Sequence, residues 1–175
     1  MKHKIRIYII LVIAYLLVAI PFKVMEVIPG FTDIRPVTLL GPVYALFYGT
    51  PGCIIFAIMN LVMDAVSGQL MWSSIAGLLA NFTGPFLFLL YWKKVAKNGP
   101  YLRTPGNIIH FSVILFLKAI LEAVMITPSV ALIYPDINWM VFFVSVVANT
   151  SLFPILFGIP LIILMKEELG FKMIV

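Results

Sequence analysis

Charge is scarce in this chain. Only 11% of its 175 residues are Asp, Glu, Lys or Arg, against about 25% in a soluble domain. Hydrophobic residues make up 63% and the mean hydropathy is +1.13, so there is too little polar side chain to cover a surface facing water. A water-soluble domain is excluded, and a single integral membrane domain over residues 1–175 is expected. Cysteine is nearly missing as well. Cys53 stands alone in an apolar run, which excludes a disulfide framework or a thiolate metal site; it reads as a small buried apolar residue. His110 has no second His, Cys or carboxylate at local metal spacing and reads as a polar residue near a helix end. No phosphate-binding G-x-x-x-x-G-K loop, G-x-G-x-x-G, H-E-x-x-H or Ser-His-Asp order occurs. The chain is therefore expected to be no enzyme, with no catalytic residues, metal or cofactor, and to hydrolyse no ATP itself. The net charge of +5 does not point to nucleic acid, because the cations sit at segment ends without an interleaved basic and aromatic patch.

What the chain has is long apolar segments, organised around the stretch from Glu26 to Gly68. Two apolar runs there are joined by Gly49-Thr50-Pro51-Gly52, with Glu26, Asp33, Arg35 and Asp64 at the open end of the resulting hairpin. Six transmembrane helices are predicted, over about 5–22, 34–48, 52–66, 70–92, 108–126 and 139–165. The fold class is thus an all-α six-helix membrane bundle. The basic head before the first run resembles a signal peptide, but no small-x-small cleavage site follows, so an uncleaved helix is expected. The second and third helices reach only roughly 22 Å each, short of the ~30 Å hydrocarbon core. In the last, Pro154 and Pro160 are expected to kink or tilt the helix.

With the N-terminus in the cytoplasm, Lys2, Lys4, Arg6, Lys93, Lys94, Lys97, Arg103, Lys166 and Lys172 fall inside. Only Lys23 and Arg35 fall outside, and Lys118 lies within a helix, a split of nine against two. That is the positive-inside pattern, and it predicts both termini cytoplasmic. The loop Lys93 to Gly106 reads as a connector between two three-helix halves.

Polar groups in hydrocarbon are costly, so their placement is informative. Asn60 and Asp64 are spaced i, i+4, as are Lys118 and Glu122. Ser74, Gly77 and Asn81 share one face of the fourth helix, and Asn149 lies one turn inside Ser145. All occupy the outer halves of their helices, while 5–11, 86–90 and 155–164 are almost purely apolar. This is the pattern of a cup opening outward, with a dry inner half unlike a conducting path. For each residue a structural role stands beside the functional one: Lys118 and Glu122 as a mutual pair, the asparagines as helix glue, Asp64 as a solvated helix end. Ala76, Ala80 and Gly84 form a small-residue row for close helix approach. Trp72, Trp92 and Trp139 read as interfacial belt residues, with Trp72 and Trp139 also placed to stack on a ring. As a site, Arg35 or Lys118 would meet an anionic group and Asp64 or Glu122 would accept hydrogen bonds. Asn60, Asn81 and Asn149 would orient polar edges.

In small size, six helices, inward termini and a polar outer half, the chain resembles the substrate-binding S component of energy-coupling factor (ECF) vitamin transporters. The resemblance is most specific over IPGFTDIRPVTLLGPVYALFYGTPG and the Asn-x3-Asp of NLVMDAVSG. It implies high-affinity capture of a vitamin or related micronutrient at a prokaryotic cell membrane. It further implies a transmembrane coupling subunit and two cytoplasmic ATPases as partners, and a lid formed by the loop Lys23 to Asp33, bent at Pro29-Gly30. The family's Ala-x3-Ala docking motif is absent as written, since Ala14 and Ala19 are five apart; the face of Ile10, Ala14 and Val18 could take its place. The rival readings are a scaffold subunit of a membrane or cell-envelope complex and an autonomous small-solute carrier.

The charge split makes one direct prediction. Topology reporters fused at either terminus should report the cytoplasm, and one inserted after Asp136 should report the outside. The opposite pattern would invert the cup.

Overall fold

The Gly-Thr-Pro-Gly sequence folds the chain back on itself, and the rest of the bundle is laid against that hairpin. The computed structural model describes residues 2–22, 26–28, 32–96 and 99–174. In order, α1 (Lys2–Ala19) ends in a 3-10 turn, Ile20–Phe22, and is followed by two short strands, β1 (Glu26–Ile28) and β2 (Thr32–Asp33). A second 3-10 turn, Pro36–Leu39, leads into α2 (Leu40–Val66). Then come α3 (Trp72–Val95), α4 (Pro105–Ile133) and α5 (Trp139–Phe153). From α5 the chain continues through a π turn, Pro154–Gly158, into α6 (Ile159–Ile163) and a second π turn, Leu164–Glu168.

Five helical stretches are long and apolar enough to cross a membrane: Ile5–Phe22, Pro36–Val66, Trp72–Val95, Pro105–Ile133 and Trp139–Glu168. Their outward residues are apolar, as a multi-pass membrane protein requires; on α1 these include Ile9, Ile10, Ile13 and Leu17. The second stretch is two helical arms with a sharp break between them. Gly49 has φ 64 and ψ −147, outside any helix. Because of that break, Phe56 packs on Gly41, with ring atoms 3.3 Å from where a Cβ would stand. In a straight helix those residues would be roughly 22 Å apart. The two arms predicted over 34–48 and 52–66 are therefore found side by side. Gly52 allows the return: a Cβ there would run into the Tyr44 carbonyl.

Neighbours in sequence are neighbours in space from α2 to α5, while α1 leans on the hairpin through α2 and the second 3-10 turn. Tyr15 packs edge-on to Phe56 at 5.7 Å, and the Tyr44 hydroxyl donates to the Leu11 carbonyl at 2.6 Å, fixing α1 to the first arm. The dry core lies at the turn end of the hairpin, with Leu46, Phe56, Leu89, Phe111 and Leu115 among its fully buried residues. Cys53 is buried there and free.

Three local expectations are revised. α4 does not stop at 126 but runs through Pro128 to Ile133. Trp92 is no belt residue; it is buried against Phe88, Tyr91, His110 and Phe111. In the described part of the 93–106 connector the chain is docked, with Pro100 taking a hydrogen bond from Lys166 at 3.1 Å and Arg103 paired with Glu167. The proline effect in the last stretch takes the form of π turns, the first beginning at Pro154, where a helical N–H is missing. Of the lid expected over Lys23 to Asp33, residues 23–25 and 29–31, including Pro29-Gly30, lie outside the described residues, as does Lys97. The described remainder pairs antiparallel, Glu26 opposite Asp33.

Gly49 sits in a conformation essentially reserved for glycine. A Cβ there would meet Ile174 only at an ordinary 3.5 Å, so the strain is in the backbone rather than in a clash. Gly49→Ala should lower stability by about 1–3 kcal/mol, read as a fall in Tm of the purified protein in detergent. An unchanged Tm would mean that the hairpin does not depend on this dihedral pair.

Candidate functional site

At the end of the bundle away from the dry core, the helices part around a cavity. Each wall follows from a pattern in the sequence. The open end of the hairpin contributes Arg35, Val37 and Thr38 from the first arm and Phe56, Asn60 and Asp64 from the second. From α3 come Ser74, Gly77 and Asn81, the face read from their spacing. The row Glu122, Ile126, Val130 and Tyr134 comes from α4, and Phe142, Val146, Asn149 and Thr150 from α5. The cavity offers about 140 Å³ for the centres of water molecules. At about 10–15 Å³ per water centre that is room for on the order of ten waters, the scale of a small organic solute.

Of the nine residues expected at a site, six are brought together: Arg35, Asn60, Asp64, Asn81, Glu122 and Asn149. The other three lie elsewhere. Lys118 is buried one turn below the cavity beside Glu122. Trp72 and Trp139 begin α3 and α5 at the cavity end but are 82% and 55% exposed and stand outside its lining. Both are exposed first residues of their helices, as belt residues at a membrane interface are.

The open end of the hairpin is stapled to α5. Asn149 accepts the Arg35 backbone N–H through Oδ1 at 3.0 Å, and the Thr38 hydroxyl donates to the Asn149 carbonyl at 2.7 Å and to the Arg35 carbonyl at 2.9 Å. Asn149 thus has a structural task in addition to its place on the wall. On α3, Asn81 donates its amide to the Gly77 carbonyl at 2.8 Å, which turns its own carbonyl away from the helix backbone. Asn60 Nδ2 stands 3.7 Å from where a Gly77 Cβ would be, so the absence of that side chain leaves the space Asn60 fills. At the mouth the Tyr134 hydroxyl donates to Met71 Sδ, bridging α4 to the start of α3.

The floor is the buried ion pair. Lys118 Nζ donates to Glu122 Oε2 at 2.8 Å and also lies 2.8 Å from Oε1, without hydrogen-bond alignment to the latter. Both side chains are almost wholly buried, at 4% and 2% exposure. Gly84 makes this possible, because a Cβ on it would collide with the Glu122 carboxylate. The small-residue row on α3 therefore admits a carboxylate as well as a helix. His110 is distant from this floor and hydrogen-bonds Tyr91 at 2.5 Å, in keeping with a polar role near a helix end. Among the described residues no group of three His, Cys, Asp or Glu is placed to hold a metal ion.

Family models, curated proteins and solved structures were compared with the chain. None matches. The site is accordingly defined by its own geometry.

Sequence reasoning missed the apolar wall and the mouth, including Thr38, Gln69 and Thr150. Part of the signal was present: from Lys118 through Glu122, Ile126, Val130 and Tyr134 the residues recur every four positions on one helix face. Ending the helix at 126 cut that row short.

Removing one member of a buried pair strands the other, at a cost of about 3–5 kcal/mol less whatever the stranded group recovers by changing protonation. Lys118→Met should therefore lower Tm markedly, and adding Glu122→Leu should restore much of the loss. Equal or greater loss in the double variant would mean the pair itself stabilises the bundle.

Proposed function

We propose that this chain captures a small water-soluble micronutrient at the outer face of a prokaryotic cell membrane, as the S component of an ECF-type transporter. The observation that carries the reading is the cavity's one-sidedness. Polar groups from three helices and the hairpin's open end converge at one end, and the opposite end is a dry core of large apolar side chains. A conducting path needs polar or small groups through its full depth; a capture cup needs a floor, and Lys118–Glu122 over that core supplies one. Counting the two hairpin arms separately gives six crossings, and with the nine-to-two charge split this count supports cytoplasmic termini and an outward cup.

Capture is not transport, and the chain has no nucleotide-binding loop. Energy would come from two cytoplasmic ATPases through a transmembrane coupling subunit. The exposed apolar side of α1, with Ile10, Ala14 and Val18 along one face, is the surface we assign to that subunit. The small cavity and its hydrogen-bonding walls suit a vitamin-sized solute better than a lipid or a peptide.

Native mass spectrometry of the detergent-purified protein tests capture. A stoichiometric bound molecule of a few hundred daltons is expected. Arg35→Ala should weaken its retention with the fold intact, since the bond to Asn149 uses the Arg35 backbone N–H. A ligand-free spectrum would favour a scaffold subunit, and unchanged retention in the variant would remove Arg35 from the site.

A further inference from the structure

The floor of the cavity constrains what its deepest occupant can be, and this inference rests on the capture reading above. We infer that the buried end of the ligand is uncharged and donates N–H hydrogen bonds, as a primary carboxamide or an amino-heterocycle edge does. Three side chains carry it: Asn60 on the second hairpin arm, Asn81 on α3 and Glu122 on α4, all on the cavity wall.

Each has hydrogen-bonding capacity left over. Glu122 is 1% exposed, and its Oε1 has no hydrogen-bond partner among the described residues. The Thr150 hydroxyl, which also faces this carboxylate, gives its proton to the Val146 carbonyl at 2.8 Å. Asn81 is 8% exposed and has used one of its two amide N–H groups on Gly77, leaving the other and a carbonyl to accept. Asn60, also 8% exposed, makes no side-chain hydrogen bond among the described residues and brings both an acceptor and a donor. Buried polar groups are normally satisfied, so an occupant of the floor is expected to supply the missing partners. Glu122 Oε1 and the two asparagine carbonyls are three acceptor oxygens with two lone pairs each, against the three amide N–H groups that Asn60 and Asn81 have free, so the complement is an edge richer in N–H than in acceptors.

Charge narrows the class further. Lys118 already neutralises Glu122, so the floor presents acceptors without net charge. An anionic ligand end would face the Glu122 oxygens where water cannot screen the repulsion. A cationic end would add an uncompensated charge to a pair that is already balanced. An uncharged donor avoids both costs. Lys118, which the sequence offered as a partner for an anion, is taken by Glu122 and lies outside the cavity lining.

Matched probes test the assignment on the full-length purified chain. Nicotinamide and cytosine present a neutral N–H edge; nicotinate and orotate are their anionic counterparts. Titration calorimetry should find the neutral member of each pair bound at least about tenfold more tightly. Asn81→Leu, which removes one acceptor, should cut neutral-probe affinity by about tenfold, with circular dichroism confirming the helical fold. Tighter binding of the anions would overturn the ligand class and leave the cup standing. Failure of all four to bind would also overturn it, while a co-purified ligand in the native spectrum would keep the capture reading alive. Loss of that ligand as well would remove both.

Discussion

A chain that breaks its helix inside a membrane must find new partners for the backbone groups it frees, and this bundle is arranged around one such break. Gly49 and Gly52 at the turn are both buried in protein, which is the condition for non-helical backbone at membrane depth. The C-terminal tail helps to meet it. The Ile174 N–H donates to the Leu46 carbonyl at 2.8 Å, and the Phe171 ring packs edge-on to Phe47 at 6.4 Å. The far end of the chain thus closes over the turn. From the turn, two short arms reach toward the opposite face, and where they end the helices beside them part to leave the cavity.

The second constraint is the burial of charge. A carboxylate and an ammonium are both sealed from water at the boundary between cavity and core. Such a pair is at best near neutral for stability against well-packed apolar residues, so its retention needs another reason. Its position offers one: the carboxylate is part of the cavity wall, and the lysine beside it is its counter-charge. Gly84 completes the arrangement by leaving the space the carboxylate fills.

The two ends of the bundle therefore have different physics. Around Phe88, Trp92 and Phe111 the packing is aromatic and dry, with ring centroids 5.2–6.2 Å apart. Around Asn60, Asn81 and Glu122 it is polar and incompletely satisfied.

Much of this was legible in the sequence, because lipid leaves a chain few options. Scarce charge and apolar runs of helical length pointed to helices long and apolar enough to cross a membrane. Period-four spacing put Asn60 with Asp64, and Ser74 with Gly77 and Asn81, on single faces that do line the cavity. Glycines at 49 and 52 marked the turn. Spacing within one helix says nothing about what stands opposite, and there tertiary structure decided. Lys118 and Glu122 could have bound a ligand or each other, and only the approach of α3 at Gly84 shows the carboxylate facing the cavity and the lysine behind it. Trp72 and Trp139 sat at the right depth but on faces turned outward, while Trp92 was drawn into the core by its aromatic neighbours. Asn149 was found to hold the hairpin to α5, a bond across 114 residues that no local pattern encodes. Local chemistry fixed the helices and their polar faces; the rotation of each helix about its axis, set by packing between elements distant in sequence, decided which of those faces became a site.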